Sequence, residues 1–382
     1  MECKYQKICG GCPLRQAKQD EYRARKISVF ENVIRPLIDK KTVIGNTVFI
    51  GDGQRRRAEM AFQYRKGQLI LGFNADKSHE IVDIEQCLSL TECINKALPE
   101  IRTFLQKLCS VKESKKVKNK IVNINISGGD IFITEADNGL DILLKTNIPL
   151  CLEHRMEISD FTNTAGNVIR ISVCVNGGSV ETVAEKSKPF VKMGSRDVLI
   201  PSGTFLQASS AGQQALIDLV MKYIGNDTGN IADLFCGVGT FSYPLSQNIK
   251  NKITAVDSSE ELLNGFRQTV NKLMIPNIKI VRKNLFKYPL DENELKGFDI
   301  VVFDPPRAGA KAQIAKISAM NMTDKPRKII AISCNPHTFI NDAEVLITSG
   351  YAIKEITMVD QFVYGNHFEL VALFEKNITR SL

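Results

Sequence analysis

Three cysteines near the start of the chain have the spacing of a metal or cluster site. Cys3, Cys9 and Cys12 form a C-x5-C-x2-C pattern, and two glycines stand directly before the third cysteine. Thiolates bind zinc and iron–sulfur clusters, and glycines let the backbone fold around a small bound group. A fourth thiolate must come from elsewhere. We predict Cys87, which follows a strand-like segment, whereas Cys93 falls in a helical pattern.

These thiolates fit either zinc or an iron–sulfur cluster. Zinc ribbons usually carry two C-x2-C pairs, and this segment carries a single one, so the spacing favours [4Fe–4S] over zinc. The C-x3-C-x2-C spacing of radical enzymes is absent from the segment. We therefore expect no redox chemistry of that kind.

A second group of residues surrounds a glycine-containing loop. Gly237 and Gly239 follow a strand-like run and precede a helical one, which is where α/β folds bind cofactors. The next strand ends at Asp257, whose carboxylate can hold the ribose hydroxyls of a nucleoside. A dinucleotide-binding loop usually has a third glycine, but Ser242 occupies that position. The pattern therefore favours S-adenosylmethionine over NAD.

Further strand ends carry side chains that could react. Asp304 is followed by two prolines, whose rigid backbone is expected to leave its carboxylate facing the cleft. Arg307 stands where methyltransferases of exocyclic amines commonly have an aromatic residue, so we predict an acceptor other than an amine. Cys334 ends the next strand and is a candidate nucleophile, with a buried structural cysteine as the alternative. Glu369 opens the last strand and is either a base or a solvated strand end.

The elements that must position these residues differ between the two halves of the chain. Residues 19–38 have apolar side chains at helical spacing, residues 58–84 form short strands, and residues 122–175 suggest an antiparallel sheet. After residue 201 strands alternate with helices, which is typical of a parallel doubly wound α/β sheet. Its predicted strands, the last two an antiparallel pair, are 231–235, 253–256, 278–281, 300–303, 329–332, 352–359 and 368–374. We predict two domains, a mixed α+β domain over 1–200 and an α/β domain over 201–382, with helix 19–38 as an element that can pack on the second.

The positive charge of the chain is concentrated in its first third. The net charge is +8, and residues 1–130 hold 24 Lys and Arg against 15 Asp and Glu, while residues 131–382 hold 26 against 27. This bias favours a polyanion such as a nucleic acid as partner, with a solvated lysine-rich surface as the alternative. Arg55–Arg57 and a Lys112–Lys120 loop are the candidate phosphate contacts.

The composition disfavours membrane and secreted proteins. No apolar run approaches the ~18 residues of a transmembrane helix, and the N-terminus lacks an apolar secretory segment. The ten cysteines are then expected to stay reduced and to serve metal binding or catalysis. We expect a cytoplasmic protein.

The motifs together resemble those of the RNA 5-methyluridine (uracil-C5) methyltransferases, over nearly the whole chain. The resemblance is carried by C-x5-C-G-G-C and by Gly203–Gln207, Asp233–Phe241, Asp304–Gly309, Ser333–Pro336 and 360–369. The match is close to the bacterial branch that modifies 23S ribosomal RNA. Because the chain begins at the cysteines, it resembles the branch that modifies uracil 747 and lacks an N-terminal TRAM domain. The sequence departs from the family pattern at Asn341, usually arginine, and at Val363, usually proline.

The resemblance implies a Rossmann-like class I methyltransferase domain that uses S-adenosylmethionine, and a [4Fe–4S] cluster on Cys3, Cys9, Cys12 and Cys87. It implies methylation of uridine C5 in RNA, in which Cys334 attacks C6 of an extruded base and Glu369 removes the C5 proton. Phe205 would stack on the uracil. The implied cofactor contacts are Gln207, Phe235, Thr240, Asp257, Asn284 and Asp304.

Three alternatives remain open at this point. The RNA could be tRNA, methylated at uracil 54, rather than 23S ribosomal RNA. A cytosine-C5 methyltransferase would be expected to have proline before the nucleophile, and Ser333 stands there instead. A non-catalytic iron–sulfur protein that binds RNA is the third. In each case we expect a monomer.

Overall fold

The chain folds into two compact units, each drawn from separated stretches of the sequence. The computed structural model describes residues 2–117 and 120–377. Unit 1 is drawn from Met1–Gln16, Gly51–Val191 and Leu199–Ser210, and unit 2 from Ala17–Ile50, Lys192–Val198 and Ala211–Leu382. This division differs from a single boundary at residue 200, because unit 2 takes residues from near the N-terminus as well as the C-terminal half.

The pattern of helices and strands changes near residue 200. Residues 17–50 form α1 (Gln19–Ile34), β1 (Val43–Ile44) and β2 (Val48–Phe49). Residues 51–189 form β3 (Arg57–Arg65), β4 (Gln68–Asn74), β5 (Ile81–Asp83), α2 (Glu92–Ser110), β6 (Glu113–Val117), β7 (Lys120–Ile124), β8 (Gly128–Ala136), β9 (Gly139–Thr146), α3 (Leu152–Thr164), β10 (Val168–Val175) and β11 (Val180–Glu185). The later residues form β12 (Phe190–Met193), β13 (Arg196–Leu199), α4 (Ser210–Ile224), β14 (Asn230–Leu234), α5 (Ser242–Leu245), β15 (Lys252–Asp257), α6 (Glu260–Lys272), β16 (Ile278–Arg282), α7 (Glu292–Leu295), β17 (Ile300–Phe303), α8 (Lys311–Ala319), β18 (Lys328–Ser333), α9 (Pro336–Thr348), β19 (Tyr351–Asp360) and β20 (Glu369–Lys376). Among the described residues, no helix has the length and apolar character that crossing a membrane requires.

Unit 1 is built on a sheet that, over the described residues, has seven strands in the order β11-β10-β9-β8-β3-β4-β5. The apolar face of α2, from Ile94 to Cys109, is buried in its core. β9 and β10 are parallel neighbours, so the antiparallel arrangement predicted for residues 122–175 is wrong at this pair. The segment that connects β9 to β10 explains their parallel direction. A parallel pair needs a long crossover, and α3, with 13 residues, supplies it.

The lysine-rich segment of unit 1 is a hairpin rather than the predicted loop. β6 and β7 pair in antiparallel register, from Glu113 opposite Ile124 to Val117 opposite Lys120. The β-branched residues of β7 favour a strand over a solvated coil. The tip of the predicted loop, residues 118–119, lies outside the described residues.

Unit 2 contains a nine-stranded sheet, counted over the described residues, in the order β1-β19-β20-β18-β17-β14-β15-β16, with β2 beside β19. β14 to β18 are parallel to one another, and β20 is antiparallel to both β18 and β19. β17 is buried throughout, and β14 and β18 along all but their first residues. Such continuous burial is typical of parallel strands covered on both faces. The predicted α/β arrangement with a closing antiparallel pair is confirmed.

The first helix of the chain belongs to unit 2. Tyr22, Lys26, Phe30 and Ile34 recur every fourth residue and form its buried face, and the two apolar side chains enter the core of the sheet. The helix ends at Ile34, short of the predicted end at residue 38. β1 and β2 then pair with β19, so both ends of the sequence contribute to the sheet.

Candidate active site

Neighbouring strand ends bring the predicted reactive residues to one edge of the unit 2 sheet. Leu234 of β14, Phe303 of β17 and Ala331 of β18 lie in register, so the loops that follow these strands start side by side. β20 runs in the opposite direction and begins at Glu369, next to the point where β18 ends. Cys334 follows β18 directly. The predicted nucleophile and base therefore occupy adjoining positions on the same edge.

The thiol of Cys334 is half-buried at this edge. Burial is the main cause that raises its pKa to about 11, the carboxylates of Glu369 and Asp304 raise it further, and Arg307 lowers it. Three ionisable side chains thus influence the pKa of this thiol. Since the thiol is protonated at neutral pH, it must lose its proton before it can attack.

The carboxyl group of Glu369 is almost fully buried, with 3% of the residue exposed. Burial raises its pKa to about 8 and Asp304 adds to the rise, whereas a hydrogen bond from Gln361 and the charge of Arg307 lower it. The amide Nε2 of Gln361 donates to Oε1 of Glu369 at 3.2 Å. The other oxygen, Oε2, is buried and has no hydrogen-bond partner. Glu369 is therefore mostly neutral at pH 7 and keeps one oxygen for an incoming group.

The loop after β14 is held in an unusual backbone conformation. Phe235 has φ of 61° and Gly239 has φ of 96°; a non-glycine residue in the left-handed region is strained, and such strain concentrates at functional sites. The N–H of Gly237 donates to Oδ2 of Asp257 at 3.0 Å. A Cβ on Gly239 would lie 2.6 Å from the ring of Phe266, whereas a Cβ on Gly237 would meet no atom within 4 Å. The loop packs tightly on one side and leaves space on the other.

The predicted cofactor-binding residues divide between the units. Five of them, Phe235, Thr240, Asp257, Asn284 and Asp304, belong to unit 2, and Gln207 belongs to unit 1. The side-chain oxygen of Asn284 accepts the N–H of Phe286 at 3.1 Å, and the Phe286 ring lies 5.4 Å from that of Phe235. These aromatic and amide groups lie beyond the ends of β14 and β16.

Asp233 is a further titratable residue of this edge that the sequence reasoning did not assign. It is fully buried in β14, and burial raises its pKa to about 7, with Asp304 and Asp257 adding to the rise and Ser242 lowering it. The Ser242 hydroxyl donates to Oδ2 at 2.5 Å, and Oδ1 has no hydrogen-bond partner. A carboxylate inside an apolar strand, directly before the glycine loop, is the sequence signal that could have revealed it.

Two of the three arginines predicted to grip phosphate have other partners. Arg56 is 3% exposed and donates to the Gln207 carbonyl at 3.2 Å and to the Ser210 hydroxyl at 3.1 Å. Arg57 donates to the Leu206 carbonyl at 2.9 Å. Arg55 alone of the three is exposed. The prediction is therefore wrong for Arg56, because a buried guanidinium that donates to the Gln207 carbonyl and the Ser210 hydroxyl cannot also meet solvent phosphate.

Phe205, the predicted stacking residue, lies in unit 1 and is 66% exposed. The guanidinium of Arg57 lies 4.7 Å from the centre of its ring. A large exposed aromatic side chain beside a cation is unusual on a solvated surface and suits a stacking partner. Its role remains a prediction.

The four predicted cluster cysteines share one neighbourhood in unit 1. Burial raises the thiol pKa of Cys9, and nearby Cys12 and Cys3 raise it further. Burial likewise raises the thiol pKa of Cys87, with Cys12 and Cys9 adding to it. Across residues 2–117 and 120–377, however, no group of three or more His, Cys, Asp or Glu side chains is arranged to hold a metal ion.

Known proteins that are similar to this chain include RNA methyltransferases. The family described as tRNA (Uracil-5-)-methyltransferase matches residues 192–377. An uncharacterised RNA methyltransferase of Zymomonas mobilis is 32% identical over 98% of this chain and 88% of its own length. The 23S rRNA (uracil(1939)-C(5))-methyltransferase RlmD of Photorhabdus laumondii is 28% identical over 98% of this chain and 82% of its own. The chain belongs to the RNA uracil-C5 methyltransferase family.

The fold of this uracil-C5 methyltransferase also has a solved counterpart. The tRNA (uracil-54, C5)-methyltransferase of Pyrococcus abyssi, solved with S-adenosyl-L-homocysteine, matches with a TM-score of 0.72 at 22% identity, over 95% of this chain and 85% of that one. At this identity the likeness concerns the fold. The predicted class I methyltransferase fold is confirmed.

The net positive charge of this uracil-C5 methyltransferase is spread over both units. Unit 1 holds 22 Lys and Arg against 19 Asp and Glu, and unit 2 holds 28 against 23. The excess found in the first third of the sequence comes partly from residues 17–50, with seven basic against four acidic residues, and these belong to unit 2. The basic excess of the first third of the sequence therefore does not belong to one unit.

Proposed function

We propose that the protein transfers a methyl group from S-adenosylmethionine to C5 of a specific uridine in RNA, with Cys334 as nucleophile and Glu369 as general base. The observation that carries this proposal is the shared environment of the two side chains. Both have pKa values raised by burial and by neighbouring carboxylates, and lowered by Arg307. Perturbed groups of this kind, side by side at strand ends, are typical of catalytic sites.

The chemistry requires both groups. The Cys334 thiolate forms a bond from Sγ to C6 of uracil, and the electrons of the C5=C6 bond move towards C5, which becomes nucleophilic. C5 uses its electron pair to bond to the methyl group that S-adenosylmethionine, when bound, would supply, and the bond from that methyl group to sulfur breaks. Glu369 then accepts the C5 proton, the electrons of that C–H bond restore C5=C6, and the Sγ–C6 bond breaks to free Cys334.

The protonation states of the two residues set a condition on this sequence. The pKa of Cys334 is about 11 and that of Glu369 about 8, so both are mostly protonated at pH 7. Arg307 favours the anionic form of each, and any further positive charge brought into the site acts in the same direction. A carboxylate with a pKa near 8 is also a stronger base than an ordinary glutamate.

Two variants test the assignment of nucleophile and base. Cys334→Ala is expected to bind RNA but to transfer no radiolabelled methyl group, and Glu369→Gln to accumulate a protein–RNA adduct that survives denaturation. Cys174→Ala, which removes a buried thiol of unit 1, is the matched control and should retain activity. A fully active Cys334→Ala protein overturns the mechanism. Wild-type protein that binds RNA without methylating it would favour the non-catalytic alternative.

For the cofactor we propose the residues that the family resemblance implies: Gln207, Phe235, Thr240, Asp257, Asn284 and Asp304. The open space beside Gly237 and the unpartnered Oδ1 of Asp233 support a polar ligand at this edge. Both oxygens of Asp257 accept backbone N–H groups, at 3.0 and 2.9 Å, which hold the carboxylate at this edge. Asp257→Asn should therefore lower the affinity for S-adenosylmethionine in calorimetric titration, with exposed Asp197→Asn as the control.

We propose that Cys3, Cys9, Cys12 and Cys87 hold a [4Fe–4S] cluster. The family resemblance and the thiol chemistry support this proposal, although the described residues contain no group of three or more ligating side chains arranged for a metal ion; Sγ of Cys12 lies 3.4 Å from Oγ of Ser89. No step of methyl transfer passes through it, and we assign it a structural role. Four irons and four sulfides per chain in purified protein would support the cluster, whereas one zinc per chain would contradict it.

We further propose 23S ribosomal RNA as the substrate, within the branch that acts at uracil 747, and a monomer that works in the cytoplasm. Relatives are named for 23S ribosomal RNA and for tRNA uracil 54. Mass mapping of 5-methyluridine in both RNAs, from cells with and without the protein, separates these substrates. Loss of the modified uridine from tRNA alone would overturn the ribosomal assignment.

A further inference from the structure

The loop between β19 and β20, residues 361–368, leads directly to the proposed base. It begins after Asp360, the last residue of β19, and ends before Glu369, the first residue of β20. Gln361, its first residue, donates the hydrogen bond to Glu369 described above. The position of both ends of this loop therefore sets the position of the carboxyl group and of its hydrogen-bond donor.

A lysine from α1 bonds to both ends of the loop. Nζ of Lys26 donates to Oδ1 of Asp360 at 3.0 Å and to the carbonyl of His367 at 2.5 Å. Lys26 is 2% exposed and Asp360 1% exposed. Burying an ammonium group is costly unless charge and hydrogen bonds compensate for the lost water, and here they come from the two loop ends.

The rest of the buried face of α1 contacts the same segment. The hydroxyl of Tyr22 donates to Oδ2 of Asp360, so each carboxylate oxygen has a donor from α1. The Tyr22 ring lies 4.7 Å from that of Tyr364, in the middle of the loop. The Phe30 ring meets that of Phe368 edge-on at 6.3 Å. Contacts from this single helical face thus begin just before the loop and continue to its last residue.

Apolar packing alone does not explain a lysine at this position. The same face of α1 buries Phe30 and Ile34 in the sheet core without charged partners. Lys26 supplies what an apolar residue cannot, a donor that reaches the carboxylate at the end of β19 and the His367 carbonyl two residues before β20. Removing it leaves the ends of the loop without their shared link.

We propose that Lys26 is a positioning residue for the reaction: it fixes the ends of loop 361–368 so that Gln361 and Glu369 hold the geometry needed to remove the C5 proton. This inference rests on the proposed role of Glu369. Lys26 itself touches neither the substrate nor the reacting atoms. Its loss therefore affects proton removal and adduct breakdown more than adduct formation by Cys334.

The test uses full-length protein and substrate RNA carrying hydrogen or deuterium at C5 of its uridines. Single-turnover experiments measure formation and breakdown of the denaturation-resistant adduct. Lys26→Met is expected to form the adduct at close to the wild-type rate, to resolve it at least tenfold more slowly, and to show a larger deuterium isotope effect on product formation. Lys26→Arg, which retains a cationic donor, should recover part of the rate.

Two controls separate a positioning role from loss of stability. Lys325→Met removes another buried lysine of unit 2, whose Nζ donates to the Ser349 carbonyl at 2.6 Å, and should leave the isotope effect unchanged. If Lys26→Met does not fold, Tyr22→Phe removes only the hydroxyl bonded to Asp360 and should slow adduct breakdown about threefold.

The outcomes distinguish the inference from the function on which it rests. If Glu369→Gln traps no adduct, the proposed base is wrong. Suppose instead that Glu369→Gln traps the adduct, but that folded Lys26→Met resolves it with the wild-type rate and isotope effect. The inference about Lys26 is then overturned, while the role of Glu369 stands. Tyr22→Phe serves for the same comparison if Lys26→Met does not fold. The inference would also be overturned if Lys325→Met slowed adduct breakdown and raised the isotope effect as much as Lys26→Met does.

Discussion

Replacing Glu369 by Gln should change how the stability of the protein depends on pH. The pKa of Glu369 is raised to about 8 in the folded protein, from a usual value near 4.5. Between these two values the folded protein holds a proton that the unfolded chain has released. The free energy of unfolding of the wild type therefore falls as pH rises through this window, and the glutamine variant lacks this contribution.

The magnitude follows from the width of the window. One proton bound in the folded state and released in the unfolded state changes the free energy of unfolding by about 1.4 kcal/mol per pH unit. Between pH 5.5 and 7.5 the wild type should lose about 2.5 kcal/mol more stability than Glu369→Gln. Asp233, whose pKa is also raised, to about 7, is present in both proteins, so its contribution largely cancels in the difference.

Urea unfolding of both proteins at pH 5.5, 6.5 and 7.5, followed by circular dichroism, measures this difference. Glu344→Gln, on the exposed face of α9, is the matched control and should keep the wild-type dependence on pH. The glutamine amide carries a constant cost for its unpaired N–H groups, which shifts the curve without changing its slope. Curves for wild type and Glu369→Gln that stay parallel would refute a protonated buried Glu369.

Three further substitutions follow from the backbone and the arginine cluster. Gly239→Ala, with φ of 96° and a Cβ 2.6 Å from the Phe266 ring, should lower the free energy of unfolding by about 2–3 kcal/mol in urea titrations; equal stability would contradict the packing. Arg56→Met should destabilise by about 2–3 kcal/mol, because the buried Gln207 carbonyl and the Ser210 hydroxyl lose their donor, and should leave the salt dependence of RNA binding unchanged. Arg55→Gln should have the opposite effects: it should unfold in urea like the wild type but bind RNA more weakly in a filter assay. The slope of the logarithm of the binding constant against the logarithm of salt concentration should fall by about one; an unchanged slope would exclude phosphate contact by Arg55.

The positions of Cys334 and the glycine loop could be predicted from the sequence, because each directly follows the end of an apolar strand. In a doubly wound sheet the carboxyl ends of parallel strands share one edge, so recognising the strands is enough to place their ends together. Glu369 needed one more inference, that the last two strands form an antiparallel pair. The family motifs identified Cys334 as the partner of Glu369, and the register of β18 and β20 places both residues at the same edge of the sheet.

Other features depend on contacts between residues far apart in sequence, and local patterns do not contain them. Arg56 belongs to a basic run that looks solvated, yet its acceptors lie about 150 residues away in the 207–210 segment. Lys26 is buried against a carboxylate that lies 334 residues further on. The parallel pairing of β9 and β10 was missed for a related reason, since alternation of side chains does not specify strand direction.

The discontinuous composition of unit 2 has a consequence for its synthesis. Its first helix leaves the ribosome early, whereas the strand that ends in Asp360 is made 334 residues after Lys26. At about 5–20 residues per second, α1 waits roughly 15–70 s for its partners. Unit 1, whose residues end at Ser210, can complete its own core during that interval. A fragment that starts at residue 200 would lack α1, β1, β2 and Lys192–Val198, so separate production of unit 2 requires residues 17–50 and 192–198 to be joined back to the C-terminal part.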